Sequence, residues 1–519
     1  MARTQFVRAG DLVGCRYRLR QRLAHPDVPP LPDAIARQPR INAARAAVFD
    51  ALPVRRALGD GRSKRFTRVD LDPALEQGEL EIQTAAAMKR RANLITNAVL
   101  TGEIDGVAVV AEIDILVRRV DGTYLPVMVS NHRVARAHPR ATMRYIPTAR
   151  LGLGAPLEVG AKLRHRTLDG YRVAMAELLL RERGLASGEA AVIGQDRERA
   201  YIGDVDRYVL ALRTALAQHT PTQPRRLKQC ASCRFWALCE PELRAMDDIS
   251  LVYPGERARA LRDRGLNTVE AVIDQRLGEP SEVAAAWRAG IPVLARQQAR
   301  SMARDFPRAD VEIDVDMEAY LDQGAYLWGA FDGTSYHGFA TWDDVGGASE
   351  EANFVEFWTW LMGRREAALR EGKTFRAYCY AAGGENHWMT TSARRFSAID
   401  AGEVSSFIAS DEWVDVFPWV NRMLVGTEGL GLKIVGPTAG FTWSDDDVDG
   451  ERSVALRLTA RGNGPDALAA RDMLLRYNED DCRATSAVRA FLRAGAPGIP
   501  VLGHVLPELP SDQSDQSYQ

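Results

Sequence analysis

Two pairs of side chains in the C-terminal half have the types and spacing of a divalent-metal site. Asp316 and Glu318 end the strand-like segment ADVEIDVDMEAY as Asp-x-Glu, so both project from the same side of a strand. Tyr477 and Asp481 stand four apart in LLRYNEDDCRATSAV, on one face of a predicted helix. Carboxylates so placed can hold Mg²⁺ or Mn²⁺, and a tyrosine hydroxyl can hold an attacking water. The four residues therefore predict a two-metal hydrolytic site.

The middle acid of this site has two candidates. Glu385 follows a short strand in RAYCYAAGGENHWM, and we assign it as the remaining metal ligand. Asp415 in EWVDVFPWV is the second candidate, and we expect it to support the fold instead. In the Asp-x-Asp-x-Glu segment, Asp314 competes with Asp316, and the spacing to Glu318 favours Asp316.

Four cysteines form a second constellation. Cys230, Cys233 and Cys239 make a C-x2-C-x5-C array in QCASCRFWALCEPEL, and Cys15 lies more than 200 residues upstream. Four thiolates can complete a [4Fe–4S] cluster. They equally satisfy a tetrahedral zinc ion. Either metal would require the fold to bring Cys15 to the array, so the metal site would link the two ends of one domain.

The early cysteine followed by C-x2-C-x5-C resembles the pattern of iron–sulfur RecB-family nucleases. That group includes the nuclease halves of AddB-type helicase–nucleases and the CRISPR adaptation exonuclease. With a helical connector and C-terminal acidic motifs, nearly the whole chain looks like the RecB-like nucleases common in actinobacteria. The resemblance implies a [4Fe–4S] cluster rather than zinc, held by Cys15, Cys230, Cys233 and Cys239.

The C-terminal motifs resemble those of DEDD exonucleases with a Tyr-x3-Asp third motif. The YprB-type ribonuclease-H-like domain in particular ends with a Tyr-Asn-x-x-Asp helix, and the segments YLWGAFDG and GLKIVGPTAGF (431–441) match it further. The resemblance implies 3′→5′ exonuclease action on DNA with Mg²⁺ or Mn²⁺. It assigns metal binding to Asp316, Glu318, Glu385 and Asp481, and the orientation of water to Tyr477.

The N-terminal half matches a nuclease core only in part. RecB-like nucleases use a PD-(D/E)XK core, in which an aspartate on one strand and an acid and lysine on the next hold magnesium and orient water. Asp114 in EIDILVRRV supplies the first metal-binding acid, but Met128 and Ser130 stand where the acid and lysine are expected. Such losses each cost orders of magnitude in rate. We expect a DNA-binding, cluster-stabilised scaffold; catalysis through a substitute ligand such as His132 is the alternative.

The elements that position these groups follow from apolar periodicity. Two apolar strands, Val107–Val117 and Tyr124–Val129, are joined by a hairpin turn at Asp121–Gly122. An amphipathic helix follows, with Leu168, Tyr171, Met175 and Leu178 at helical spacing.

The predicted fold class is α/β with three domains. Residues 1–245 form a PD-(D/E)XK-like (restriction-endonuclease-like) iron–sulfur domain, and 306–495 form a ribonuclease-H-like DEDDy exonuclease domain. Residues 246–305 form an all-helical connector, either a helix–hairpin–helix element or a plain spacer. Residues 496–519 form a C-terminal tail, predicted to be disordered from Pro507 onward.

Composition fits a soluble, multi-domain chain. The 519 residues are 46% hydrophobic and 26% charged, enough for two or three cores. No apolar window is long enough for a membrane span, and no secretory leader pattern opens the sequence, so we expect a cytoplasmic protein without a membrane partner. The net charge of −2 conceals basic residues in the first third, which suit a polyanion groove or a solvated surface: Arg16, Arg18, Arg20, Arg22, Lys89, Arg90, Arg91, Arg133, Arg136, Arg140, Arg164 and Arg166.

Two functional hypotheses follow from these patterns. The first is a metal-dependent 3′→5′ exonuclease acting on single-stranded DNA or duplex ends in DNA repair or recombination. The second is a non-catalytic DNA clamp that serves a helicase partner. The intact acidic motifs favour the enzyme, whereas Met128 and Ser130 favour the clamp.

Overall fold

The computed structural model describes residues 6–54, 56–57, 63–64, 66–320, 323–445 and 450–506. The chain forms two compact units, Met1–Glu242 and Leu243–Gln519. Each is mixed α/β, as the sequence predicts. In these described parts, no helix is both long and apolar enough to cross a membrane. The tail predicted to be disordered from Pro507 lies outside them.

The N-terminal unit is built on one large sheet. Its strands are β1 (Arg56–Ala57), β2 (Ser63–Lys64), β3 (Arg68–Asp70), β4 (Leu94–Ile104), β5 (Val107–Arg118), β6 (Tyr124–Val129), β7 (Ala135–Pro147), β8 (Leu157–Leu163), β9 (Glu189–Ile193) and β10 (Arg199–Asp204). Eight of them form the sheet in the order β3-β4-β5-β6-β9-β10-β7-β8, while β1 pairs with β2. Its helices are α1 (Tyr17–Ala24), α2 (Pro32–Ala51), α3 (Gln77–Lys89), α4 (Thr167–Glu182) and α5 (Asp206–Ala217), and α6 (Trp236–Ala245) spans the unit boundary.

The predicted hairpin and helix of this unit are confirmed. β5 and β6 pair antiparallel across the predicted turn, with Arg118 opposite Tyr124. All six residues of β6 are buried, because apolar clusters cover both faces of the sheet. The predicted helix is α4, whose apolar residues from Val173 to Leu180 lie in the larger cluster, whereas Leu168 of the predicted apolar face is exposed.

The C-terminal unit begins with short helices packed around their own core. These elements are α7 (Glu256–Arg262), α8 (Val269–Asp274), α9 (Glu279–Arg288), β11 (Val293–Ala295) and α10 (Ala299–Met302). The all-helical prediction for residues 246–305 is wrong at β11. That strand pairs antiparallel with a distant segment, 424–426, and such a partner cannot be recognised from local pattern.

A five-stranded mixed sheet dominates the rest of this unit. Its strands are β12 (Val311–Tyr320), β13 (Gly324–Phe331), β14 (Tyr336–Ala340), β15 (Phe375–Cys379) and β16 (Trp413–Asp415), and β17 (Leu424–Gly426) pairs with β11. The order is β14-β13-β12-β15-β16, with β12 parallel to β15 and antiparallel to β13. The helices are α11 (Ala348–Arg370), α12 (Gly383–Arg395), α13 (Ala401–Ile408), α14 (Phe417–Met423), α15 (Leu432–Thr438), α16 (Gly450–Ala460) and α17 (Pro465–Arg493).

The central strand β12 separates an apolar face from a charged one. Ile313 and Val315 lie in the cluster formed with α11 and α12. The alternate side chains point toward α17, where Asp314 contacts Arg489 and Asp316 contacts Asn478. The period of two in β12 therefore places its acids against the long C-terminal helix.

Candidate active site

Three of the predicted acids meet at one point of the C-terminal unit. Asp316 and Glu318 come from β12 and Asp481 from α17, and ligand oxygens of all three lie within 4.8 Å of one another. Asp481 is buried, whereas Asp316 and Glu318 remain partly exposed. Among the described residues, no other trio of histidine, cysteine, aspartate or glutamate side chains is gathered so closely. The two pairs, about 160 residues apart in sequence, thus form one cluster.

The electrostatics of this cluster favour a cation. Burial and then the charges of Asp481 and Glu318 hold the pKa of Asp316 well above its usual range. Burial and then the charge of Asp481 raise the pKa of Glu318 to about 8, and burial raises that of Asp481 to about 6. Like charges this close disfavour ionisation of one another unless a positive charge lies between them. The donor set, all carboxylate oxygens, suits Mg²⁺ or Mn²⁺.

Glu385 lies beside the cluster in the first turn of α12. The residue is buried, and its Oε2 is a buried atom with no hydrogen-bond partner in the described structure. Burial raises its pKa to about 7, and its charge in turn raises the pKa of Asp316 and Glu318. An unpaired buried carboxylate oxygen is costly, so a cation beside Glu385 would be stabilising. Glu385 is not within the 4.8 Å that encloses the other three acids.

Asp415 has a different environment. Its Oδ1 accepts hydrogen bonds from the backbone N–H groups of Ala381 (3.0 Å) and Phe417 (2.9 Å), and its Oδ2 accepts from Ala382 (3.1 Å). The carboxylate therefore secures the loop before α12 and the start of α14. This agrees with the expectation that Asp415 supports the fold.

Asp314 and Asp316 have different hydrogen-bond partners, which indicate different roles. Asp314 is fully buried, and its two oxygens accept from Nε and Nη2 of Arg489 at 2.6 and 2.7 Å. Asp316 instead accepts a 2.7 Å hydrogen bond from the Asn478 amide through Oδ2. The bidentate arginine engages both oxygens of Asp314, so Asp316 is the better candidate for a metal ligand.

Asn478 reaches Asp316 because the facing strand leaves room. Gly329 is the register partner of Asp316 on β13, and a Cβ there would collide with the Asn478 amide oxygen. The Tyr336 hydroxyl donates to that same oxygen at 2.8 Å. The glycine of the YLWGAFDG segment is therefore required by close approach, and the Tyr336–Asn478 pair fixes the orientation of Asp316.

Lys433 and Trp443 complete the site, and the sequence assigned no role to either. Trp443 Nε1 donates to Asp481 Oδ1 at 2.8 Å, and the Tyr477 hydroxyl hydrogen-bonds the same carboxylate. Lys433 Nζ lies 4.1 Å from the ring centre of Trp443 and 4.8 Å from that of Tyr477. Its charge lowers the pKa of both Glu318 and Asp481. The segment 431–441 resembles part of the YprB-type ribonuclease-H-like domain, but its sequence pattern does not show where the Lys433 ammonium lies.

Among the described residues of the N-terminal unit, Asp114 belongs to no such cluster of acids. Its Oδ2 accepts from Val129 N at 2.7 Å and Arg172 Nη2 at 3.1 Å, and Arg45 Nη2 lies 2.7 Å from Oδ1. Met128 is fully buried. Two guanidinium groups therefore neutralise the acid that was expected to bind a metal. The sequence did not identify these arginines, because they come from α2 and α4 rather than from neighbouring positions.

The four cysteines lie near one another in the N-terminal unit. Cys15, Cys230 and Cys233 line a cavity of about 390 Å³. Cys239 accepts a hydrogen bond from Gln21 at 3.5 Å, and burial, together with the charges of the other three thiols, raises its pKa to about 11. Among the described residues, no three of these sulfurs lie within 4.8 Å of one another.

Comparison with known proteins bears on the C-terminal unit. Residues 315–493 match the sequence model of the RNase_H superfamily. No curated protein gives a significant match. A solved structure titled "Crystal structure of SSO0001" is 16% identical over 47% of this chain and 89% of its own, with a TM-score of 0.22. The superfamily match spans β12 to α17, the elements that bring the three acids together. The C-terminal unit therefore carries an RNase H-like nuclease domain, a class that uses divalent metals and acts on nucleic acid.

Proposed function

We propose that the protein is a metal-dependent 3′→5′ exonuclease acting on DNA, with its catalytic centre in the C-terminal unit. The observation that carries this proposal is the convergence of Asp316, Glu318 and Asp481 within 4.8 Å, beside the unpaired oxygen of Glu385. These four acids would hold two Mg²⁺ or Mn²⁺ ions. The ions would stabilise the attacking and leaving oxygens of an in-line displacement at phosphorus.

Tyr477 and Lys433 supply the remaining functions. The Tyr477 hydroxyl, anchored on Asp481, is placed to orient the attacking water. The Lys433 ammonium, which lies over the rings of Trp443 and Tyr477, adds a positive charge to the site that would help to stabilise the charge developing on the phosphodiester. Trp443 contacts Asp481 and Lys433, because its indole N–H donates to the carboxylate and the ammonium lies over its ring.

In the N-terminal unit, the proposal places a [4Fe–4S] cluster at Cys15, Cys230, Cys233 and Cys239. Zinc, with Zn–S bonds of about 2.3 Å, would gather all four sulfurs within roughly 4 Å of one another. The described sulfurs are not gathered that closely, since no three of them lie within 4.8 Å of one another, and the support for four irons is the early cysteine followed by the C-x2-C-x5-C array. The Arg45–Asp114–Arg172 contacts support a unit without nuclease chemistry of its own, and we propose that its role is to bind DNA.

The cluster is tested on anaerobically purified protein. It should be brown and hold about four irons per chain, and Cys239→Ser should lose them, whereas Cys379→Ser, in the other unit, should retain them. Colourless wild-type protein with one zinc per chain would contradict the cluster.

The nuclease proposal is tested by digestion of 5′- and 3′-end-labelled DNA and RNA oligonucleotides with Mn²⁺. Asp481→Ala should nearly abolish turnover, because a metal ligand is lost. Glu479→Ala is the matched control, since it removes a neighbouring helix charge that pairs with Arg483 outside the acid cluster. Equal degradation by Asp481→Ala and wild type would refute the assignment. Binding without degradation by any of these proteins would favour the clamp for a helicase partner.

A further inference from the structure

A two-stranded ribbon extends from the edge of the N-terminal sheet. β8 is the last strand of the sheet and pairs with β7, whereas β7 pairs with β10 only over residues 144–147. The first half of β7 and the last half of β8 therefore have only each other as described strand partners. We call residues 133–166, which contain both strands and their flanks, the β7–β8 ribbon.

The β7–β8 ribbon is strongly cationic in a chain of net charge −2. It holds eight arginine or lysine residues and one carboxylate, Glu158. Arg136, Arg140, Lys162 and Arg164 are all exposed, and none has a carboxylate within ion-pair distance in the described structure. Some other exposed arginines of this unit do pair, as Arg213 does with Asp105 and Arg181 does with Asp206. Arg144, also in the ribbon, pairs with Glu189, but the charge of these four residues is available to an external anion.

The strand register concentrates this charge on one face. Arg136 lies directly opposite Lys162, so both side chains leave the same face of the ribbon. Arg164 is two residues beyond Lys162, and its N–H donates to Val134, so the pairing continues and Arg164 shares that face. Like charges directly opposite each other destabilise a strand pair. An anion on this face would remove that repulsion.

We propose that the β7–β8 ribbon binds duplex DNA by its phosphate backbone, with the strands in the major groove. The major groove of B-DNA, about 12 Å wide, admits a two-stranded β-ribbon. The deep, narrow major groove of duplex RNA does not admit protein side chains. Exposed arginines and lysines are the groups that contact phosphates. This inference deepens the proposed function, because it identifies an element that holds the substrate of the nuclease.

The test measures binding of the full chain to a labelled DNA duplex in EDTA, where metal-dependent cleavage is absent. The variant is the triple Arg136→Gln, Lys162→Gln, Arg164→Gln. Its matched control, Lys89→Gln, Arg90→Gln, Arg91→Gln, removes one lysine and two arginines that are equally exposed at the end of α3. A charge-conserving variant, Arg136→Lys with Arg164→Lys, separates loss of charge from damage to the ribbon.

We expect the glutamine triple to bind duplex DNA at least about tenfold more weakly than wild type. Its slope of log affinity against log salt concentration should be shallower by about three units. Between 50 and 200 mM salt, the affinity of wild type should therefore fall about 40-fold further than that of the triple. The control triple and the lysine variant should keep the wild-type slope. Equal weakening by both triples, or an equal effect of the ribbon triple on duplex RNA, would overturn the proposal.

This experiment separates the two proposals. A wild-type chain that binds duplex DNA through the ribbon but cleaves nothing with Mn²⁺ would support the ribbon and refute the nuclease. A chain that cleaves DNA, and whose ribbon triple binds like the control triple, would refute the ribbon and leave the nuclease standing.

Discussion

Asp316→Asn should make the C-terminal unit more stable without metal while it abolishes nuclease activity. Asp316, Glu318 and Asp481 crowd three carboxylates within 4.8 Å. The Oδ2 of Asp316 accepts from Asn478, and an asparagine at 316 keeps that bond through its amide oxygen. Its NH₂ group would then face the other two acids and donate to them. A repulsive contact is thus replaced by an attractive one, and a metal ligand is lost.

The magnitude follows from the separation of the acids. Two unit charges 4.8 Å apart repel by about 3.5 kcal/mol at an effective dielectric constant near 20. Asp316 and Glu318 are partly exposed, and the raised pKa of Glu318, about 8, means that protonation relieves part of the repulsion. We therefore expect Asp316→Asn to raise the free energy of unfolding by about 2 kcal/mol in EDTA near pH 8.

Asp314→Asn is the matched control, two residues away on the same strand. Asp314 is bound through both oxygens by Arg489, and breaking a buried ion pair by removing one partner costs about 3–5 kcal/mol. The same substitution should therefore change stability in opposite directions at the two positions. Both variants and wild type are unfolded with urea in EDTA and again in Mn²⁺, and only wild type and Asp314→Asn should gain stability from the metal.

Two outcomes would refute this account of the site. If Asp316→Asn were less stable than wild type in EDTA, the acids would not repel one another in the folded protein. If it kept the full Mn²⁺-dependent gain in stability and wild-type nuclease activity, Asp316 would not be a ligand.

Three further predictions concern single side chains. Tyr477→Phe should slow single-turnover cleavage roughly ten- to a thousandfold, about 1.4 to 4 kcal/mol, because only a water-positioning hydroxyl is lost. Lys433→Met should reduce single-turnover cleavage more than Lys433→Arg, because arginine keeps the charge beside the acids; equal losses would show that the charge is not used. Burial raises the pKa of Glu177 from 4.5 to about 7, so the stability that its protonated form gives below pH 4.5 should fall by at most ~3 kcal/mol as pH rises to 7. Glu177→Gln should flatten that decline in urea titrations, and an unchanged slope would contradict it.

The sequence predicted those parts of the fold and site that local pattern determines. The period-two alternation of β12 and the four-residue spacing of Tyr477 and Asp481 were sufficient to place acids on one strand face and one helix face. The β5–β6 hairpin followed in the same way from two apolar runs and a short turn. In each case the partners are close in sequence, so a short window contains the whole determinant.

Features that depend on distant segments were not predicted. Trp443 reaches Asp481 from 38 positions away, and Asn478 reaches Asp316 from 162 positions away past a glycine on a third element. The pairing of β11 with residues 424–426 also joins segments that are far apart in the sequence. No single window of sequence contains both partners of such contacts, so only the folded chain shows them.

Two strand aspartates in this chain show why neighbouring charges, and not the acid itself, determine metal binding. The sequence predicts each of Asp114 and Asp316 to be a metal ligand of a nuclease core. Around Asp114 the chain supplies Arg45 and Arg172, so a divalent cation would have to displace two half-buried guanidinium groups and leave them without this partner. Around Asp316 it supplies Glu318 and Asp481, so each acid is stabilised by the arrival of a cation. A metal therefore gains free energy at the second site and meets a competing pair of arginines at the first, although both begin from the same residue type.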